Sequence, residues 1–476
     1  MWYDSKPKEF CGGAGSQREP AEELGGGGMG KRVLICLALL LGMMGLVGCE
    51  FGSVEEMYAL PKSSEAYVNL QAKINQEKGN AEYIAPLSGE NRQTIQLVDV
   101  DGDGAQEAVA FFRDITAEAP LKIVIFKQDD RGEYQVYTRI EGVGSEIESI
   151  DYLDLGGAGG VDILVGWQVS TAVHSLVGYT ITDGEPVEIM RSGYSRYLTA
   201  DLDSDGQEEV ILSQAGSSNS PTPRIEYYDN REGMMELMST APLSDGATDI
   251  SSWQAGLLEG DVPALFVTSF FGKDVLITDV FCLKQSNELK NISCNSSLRH
   301  SESLFHYYTG VQPEDINEDG LMDVPVAKAV ASYGDSSVDG FWWLSWVNYR
   351  ADGTKTVVMT TYHSGDGWYL EIPDSWTGDF SMNQQESSTI GVRTVTFARG
   401  LETDQESTVT PFLKISCLTG SDRTRQARES GQIMLYSDTA AVYTAQLLPG
   451  DWDCGLDEKS LVDSFHASAS GWDTVG

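Results

Sequence analysis

Asp201-Leu-Asp203-Ser-Asp205-Gly206-Gln207-Glu-Glu209 is the stretch that decides the fold, because its pattern occurs three times. The other copies read Asp99-Val-Asp101-Gly-Asp103-Gly104-Ala105-Gln-Glu107 and Asp315-Ile-Asn317-Glu-Asp319-Gly320-Leu321-Met-Asp323. In each copy three oxygen-bearing side chains alternate with other residues, a glycine follows the third, and an acid closes the run. A β-prone segment comes directly after: Ala108-Val-Ala-Phe111, Val210-Ile-Leu212 and Val324-Pro-Val326. Each acidic loop therefore feeds a strand.

A repeat of this kind governs every local assignment. With the shared glycine as a ruler, two weaker copies emerge, at Gly159 in Asp154-Leu-Gly-Gly-Ala-Gly159-Gly-Val-Asp162 and at Gly260 in Glu259-Gly260-Asp-Val-Pro263. Glycines 104, 159, 206, 260 and 320 are thus separated by 55, 47, 54 and 60 residues. That period suits one four-stranded blade and is too long for a solenoid coil. Between the loops lie further short strands, Leu121–Phe126, Tyr134–Tyr137, Leu176–Ile181 and Arg224–Tyr228, separated by turn formers such as Asp129-Asp-Arg-Gly132 and Thr182-Asp-Gly-Glu185. The expected fold is all-β: a β-propeller of about five four-stranded blades, with six or seven left open, followed by a smaller C-terminal α+β domain.

The loops resemble those of the FG-GAP and VCBS-type repeats of integrin-like β-propellers, over roughly residues 90–365. The resemblance implies a structural calcium ion in each full loop, and the chemistry agrees with it. Calcium takes six to eight oxygens at about 2.3–2.6 Å, which carboxylates at alternate positions of a tight loop can supply. The expected ligand sets are Asp99, Asp101, Asp103, the Ala105 carbonyl and Glu107; Asp201, Asp203, Asp205, the Gln207 carbonyl and Glu209; and Asp315, Asn317, Asp319, the Leu321 carbonyl and Asp323. Glu107 and Glu209 stand where the resembled family usually has aspartate. An EF-hand is disfavoured, because its last acid lies six residues after the glycine and here it lies three after. The Gly159 and Gly260 copies lack these acids and are expected to be metal-free turns.

Among the 476 residues, 72 Asp and Glu face 32 Lys and Arg, a net charge of -40 that repels nucleic acid. Lys31 and Arg32 precede an apolar run from Val33 to Val47, the length of a signal-peptide core and short for a bilayer span. The run ends in Leu46-Val47-Gly48-Cys49, which resembles the lipobox of bacterial lipoproteins. This implies lipidation of Cys49 and anchoring at the extracytoplasmic face of a bacterial membrane. The expected organisation is an upstream extension and signal peptide over 1–48, with Met29 as a candidate start; a tether with a short helix over 49–90; the propeller over 91–366; and the C-terminal domain over 367–476. Cys282, Cys294, Cys417 and Cys454 have no metal-ligand spacing, and a local Cys282–Cys294 bridge and free buried thiols are both open.

No Gly-x-Ser-x-Gly elbow, His-Glu-x-x-His pair or Walker loop occurs, and the five histidines are scattered. The sequence therefore nominates no catalytic residue and reads as non-enzymatic. In Phe341-Trp-Trp-Leu-Ser-Trp346, alternation puts Trp342, Leu344 and Trp346 on one strand face, which favours packing between blades over a glycan platform. Leu461, Val462 and Phe465 are expected on one face of a short closing helix. The function these features imply is a membrane-tethered binding or scaffold module for protein or glycan; a surface hydrolase of polysaccharide or peptidoglycan is the alternative.

Overall fold

The computed structural model describes residues 65–467, apart from 157–159, 219, 286, 307–309, 339, 388–390 and 403–407. The expected signal peptide and lipid-bearing Cys49 lie outside the described residues, as does Gly159. The described chain is all-β, with short helices at its margins.

Four antiparallel meanders succeed one another along the chain. The first sheet comprises Ile95–Val98, Glu107–Arg113, Leu121–Gln128 and Tyr134–Gly142, with Glu82–Tyr83 added beside Ile95–Val98 on one edge. The second runs Glu146–Leu153, Asp162–Ser170, Val173–Thr182 and Glu185–Tyr194, and the third Arg196–Ala200, Glu209–Gln214, Arg224–Arg231 and Met234–Pro242. The fourth is Ala247–Leu258, Val262–Phe271, Val275–Lys284 and Glu288–Asn291, extended by Leu304–His306. A fifth run, Asp323–Ser332, Phe341–Tyr349, Lys355–Ser364 and Trp368–Glu371, belongs to a ten-stranded sheet that continues into the C-terminal strands.

Each of the first four sheets buries both faces of its second strand, which is why that strand's centre reads as an apolar run rather than an alternation. Val109, Phe111 and Ile123 of the first sheet pack on Ile150, Ile163 and Val165 of the second. Leu164 and Leu176 of the second meet Val210 and Leu212 of the third. Ile211 and Tyr227 of the third meet Leu265 and Phe281 of the fourth, and Phe266 and Val280 of the fourth meet Val324 and Tyr349 of the fifth. Neighbours in sequence are therefore neighbours in space.

Both end sheets have their outer faces covered. Leu70 and Ile74, buried on the helix Glu65–Lys78, pack on Ala108, Ala110, Phe112 and Phe126. This helix lies in the segment expected to be a tether, and its docking makes it part of the folded body. At the other end Phe341, Trp343 and Tyr362 pack on Met382, Val395 and Phe397 of the C-terminal strands. Leu344 and Trp346 face the fourth sheet through Leu276 and Phe305, so those two serve inter-sheet packing, while the Trp342 ring lies tilted against His306, 3.8 Å between centres.

Elsewhere the structure departs from the sequence expectations. The break expected after residue 366 cuts through a hairpin, because Trp368–Glu371 pairs with Lys355–Ser364, and Ala331–Ser332 runs parallel to Ser381–Met382. The closing helix is only Glu458–Asp463; Phe465 lies in the strand Phe465–Ala467, which pairs with Trp368–Leu370, and Val462 is exposed. The cause is local, since Ser464 ends the helix and the edge of Trp368–Glu371 supplies backbone partners for residues 465–467. Cys282, Cys294, Cys417 and Cys454 are free thiols.

Candidate metal centres

In the first three sheets the loop joins the first strand to the second, and ahead of the fifth run an isolated bridge repeats the same register. The flanking residues pair as Val98↔Glu107, Leu153↔Asp162, Ala200↔Glu209 and Glu314↔Asp323. Residues 99–106, 154–161, 201–208 and 315–322 therefore form four loops of equal length. The Gly260 copy is different: Leu258 pairs with Val262, leaving a tight hairpin turn over 259–261.

The backbone conformation repeats as well. Gly104, Gly206 and Gly320 have φ of 88°, 91° and 87°, and two residues earlier Gly102, Ser204 and Glu318 have φ of 73°, 64° and 59°. The loop thus enters the left-handed region twice, which glycine tolerates and a β-carbon resists. The first acid of each loop holds this shape: Gly104 N–H donates to Asp99 Oδ2 at 2.9 Å, Gly206 N–H to Asp201 Oδ2 at 3.1 Å, and Gly320 N–H to Asp315 Oδ2 at 2.8 Å. The residues expected to lend carbonyls donate their own N–H groups to the third acid, Ala105 to Asp103, Gln207 to Asp205 and Leu321 to Asp319, each at 2.8 Å.

The closing acid is buried in every loop. Glu107, Asp162, Glu209 and Asp323 are at most 1% exposed. Each accepts the N–H of the residue seven places earlier: Val100 to Glu107 at 2.9 Å, Leu155 to Asp162 at 3.1 Å, Leu202 to Glu209 at 2.7 Å and Ile316 to Asp323 at 3.2 Å. Asp162 therefore plays the same structural part as the other three, in a loop that lacks their middle acids. The loops also tie units together. Val161 N–H reaches Val100 O at 3.1 Å, Glu208 N–H reaches Asp154 O at 3.1 Å, and Met322 N–H reaches Leu257 O at 2.9 Å. A β-carbon on Gly160 would lie 2.3 Å from Val100 O, so this approach requires glycine.

Beyond this shared frame the loops diverge. In the third sheet, Asp201, Asp203, Asp205 and Glu209 bring carboxylate oxygens within 4.8 Å of one another. Asp201 Oδ1 and Glu209 Oε1 are buried there without a hydrogen-bond partner. Burial, reinforced by the charges of Asp203, Asp229 and Asp201, pushes the Glu209 carboxyl up to about 8, and Asp203 is raised by burial and by Asp205. Carboxylates crowded in this way repel one another unless a proton or a cation intervenes.

In the first sheet, Asp99, Asp101 and Glu107 converge within the same distance, but Asp103 does not join them. Instead Lys127 Nζ pairs with both Asp101 and Asp103, the latter at 2.7 Å. That ammonium, with the Ala105 N–H, holds the Asp103 carboxyl below the usual carboxylate range. In the fifth sheet no three carboxylates converge among the described residues. Asn317 donates to Asp319 Oδ2 at 2.9 Å, and Asn348 donates to Asp323 Oδ1. Burial pushes Asp323 up to about 6. Of the three expected ligand sets, the second is thus assembled in full as far as its side chains go, the first in part, and the third is held apart by amides.

Sequence reasoning missed Lys127, Asp229 and Asn348. All three occupy one register position on the strand paired with the one that the loop feeds, next to the pairs Ala108↔Phe126, Val210↔Tyr228 and Val324↔Val347. The signal was available: Lys127 comes after Glu107, and Asp229 after Glu209, by the same 20 residues.

No protein-family model matches the chain, and no curated protein matches it in sequence. Similar solved structures include an exotype rhamnogalacturonan lyase, at 12% identity and TM-score 0.27 over 71% of this chain and 68% of that one. A Bacillus licheniformis rhamnogalacturonan lyase is similar at 10% identity and TM-score 0.28, over 67% and 75% of the two chains. A Lactobacillus plantarum protein is similar at 11% identity and TM-score 0.25, over 68% and 88%. At these values the likenesses assign neither fold family nor activity to this chain.

Proposed function

We propose that this chain is an exported, lipid-anchored binding or scaffold module whose sheets are propeller-type blades, stiffened by calcium in their acidic loops. The observation that carries the calcium reading is the group Asp201, Asp203, Asp205 and Glu209, with two buried carboxylate oxygens that have no hydrogen-bond partner. A buried acceptor left unpaired costs about 1–3 kcal/mol, more when charged, a cost that a bound cation would relieve. Hard oxygen donors without nitrogen or sulfur favour calcium over zinc or copper.

Such an ion has a mechanical role. The 201–208 loop donates Glu208 N–H to the neighbouring loop at Asp154 O, and fixing the former fixes the junction between the second and third sheets. A stack of blades held at set angles presents loops and outer strands as a rigid platform, the property that a tethered binding module needs. Calcium titration of the protein with melting temperature as readout tests this. Binding to the native state alone raises the melting temperature. Asp101→Ala, Asp203→Ala and Asp319→Ala combined remove the rise; an unchanged response in that triple variant refutes the loop assignment.

A further inference from the structure

The structure points to a division of labour among the three acidic loops that their own sequences conceal. We propose that the residue facing the closing acid across the strand pair decides whether a loop takes a divalent cation, and that Lys127 supplies the first loop with an internal one. The proposal rests on the calcium reading above and sharpens it, by stating which loops bind.

Glu107, Glu209 and Asp323 open equivalent strands, and the facing register position carries Lys127, Asp229 and Asn348 respectively. The first loop and the second have the same four acids at the same places. In the first, the ammonium of Lys127 bridges the second and third acids, from a stem that also lies beside the Tyr137 ring, with Nζ 5.6 Å from its centre. One of these two acids, Asp101, belongs to the group that converges with Asp99 and Glu107. A divalent ion there meets a fixed positive charge and finds two of its ligands already paired, so its affinity falls.

The second loop has the opposite sign at this position. Asp229 is 5% exposed and faces Glu209 across the strand pair, outside the four carboxylates that converge. Its own oxygen Oδ2 is held by Arg231 at 2.6 Å and by Asn287 Nδ2 at 3.2 Å, so it stays in place. Asn287, reaching over from the fourth sheet, also approaches Asp203 Oδ2 at 3.5 Å. Asp201 Oδ1 and Glu209 Oε1 have no hydrogen-bond partner. In the first loop one buried oxygen, Asp101 Oδ1, is likewise unbonded, but the other oxygen of the same carboxylate already holds the Lys127 ammonium. In the fifth sheet, Asn348 is neutral and binds Asp323 directly, and the acids spread accordingly. The second loop is therefore the calcium site, the third a weaker one, and the first is metal-independent.

The test counts calcium ions by isothermal titration and follows melting in chelator, using the full chain. Wild type is expected to fill the 201–209 loop first. Lys127→Met is expected to melt lower in chelator and to bind one calcium ion more than wild type. Asp229→Lys, the reciprocal change, is expected to lose the tightest site, weakening it by about tenfold or more. This second variant decides the matter if Lys127→Met fails to fold. If wild type and Lys127→Met bind the same number of ions, and Asp229→Lys keeps the tightest site, the division of labour is overturned while the calcium reading stands. If neither wild type nor Lys127→Met binds calcium at all, both are overturned.

Discussion

Replacing Glu209 with glutamine separates the two tasks of that side chain. One oxygen accepts the Leu202 N–H at 2.7 Å, and the other is buried without a partner, as is Asp201 Oδ1. A glutamine carbonyl keeps the first bond, and its amide donates toward the acids that lie within 4.8 Å. Orphaned acceptors then gain a donor, so in chelator Glu209→Gln stabilises the protein by about 1–3 kcal/mol. In calcium the order reverses. Wild type gains about 2.7 kcal/mol at a hundredfold excess of ion over the dissociation constant, and the variant forfeits most of this with its lost charge.

The pH dependence has a definite sign. The Glu209 carboxyl is raised from an ordinary 4.5 to about 8, chiefly by burial. Its contribution to stability is therefore fully present below the unfolded value and is lost as pH rises through about 8. In chelator the variant lacks this slope, so its advantage is largest in mild alkali and disappears in acid. Urea melts at about pH 5 and about pH 9, with chelator and with calcium, measure all four corners. A variant that is less stable than wild type in alkaline chelator, with its calcium gain intact, refutes the reasoning.

Other consequences do not require the ion and are read in chelator. Gly206→Ala places a β-carbon in open space but at φ 91°, so its cost is conformational alone, about 1–2 kcal/mol in a urea melt, while Ser204→Gly at φ 64° gains up to about 1 kcal/mol. Leu70→Ala or Ile74→Ala uncovers the first sheet and costs about 2–5 kcal/mol; amide exchange in Glu107–Arg113 then speeds up, whereas a free tether leaves it unchanged. His363, stacked on Tyr369 at 4.9 Å and bonded to Thr361 at 3.0 Å, is held neutral by burial, its value lowered from 6.5 to about 3. Its contribution is present above 6.5 and lost as pH falls toward about 3, so His363→Gln flattens the acid side of the stability profile measured by thermal melts.

The strands and their order were legible because loop and strand recur together. Asp-x-Asp-x-Asp-Gly leading into Val210-Ile-Leu212 announces a turn, a closing acid and a strand within a dozen letters, though not that the acid is buried. The docking of the helix over 65–78 was not, since Leu70 and Ile74 are buried while Tyr67 and Val68 beside them are exposed, so the sequence marks no single apolar face. Nor was the continuation of the fifth unit past residue 366, because Trp368–Glu371 gains its identity from pairing with residues 361–364. At the site, local spacing found the acids but treated three loops as equal. Lys127, Asp229 and Asn348 reach them across a strand pair, and such a contact is invisible until the register is known. Asp162 shows the converse: its loop lacks the middle acids, yet the fold keeps the closing acid for its hydrogen bond to Leu155.

A crystal of the protein grown in calcium, with anomalous scattering collected near the loops, addresses the central claim directly. The predicted result is an ion in the third-sheet loop, with oxygens of Asp201, Asp203, Asp205 and Glu209 at about 2.3–2.6 Å, and the Lys127 ammonium still between Asp101 and Asp103. A 201–209 loop without an ion at saturating calcium, its four carboxylates turned apart into solvent, would contradict it.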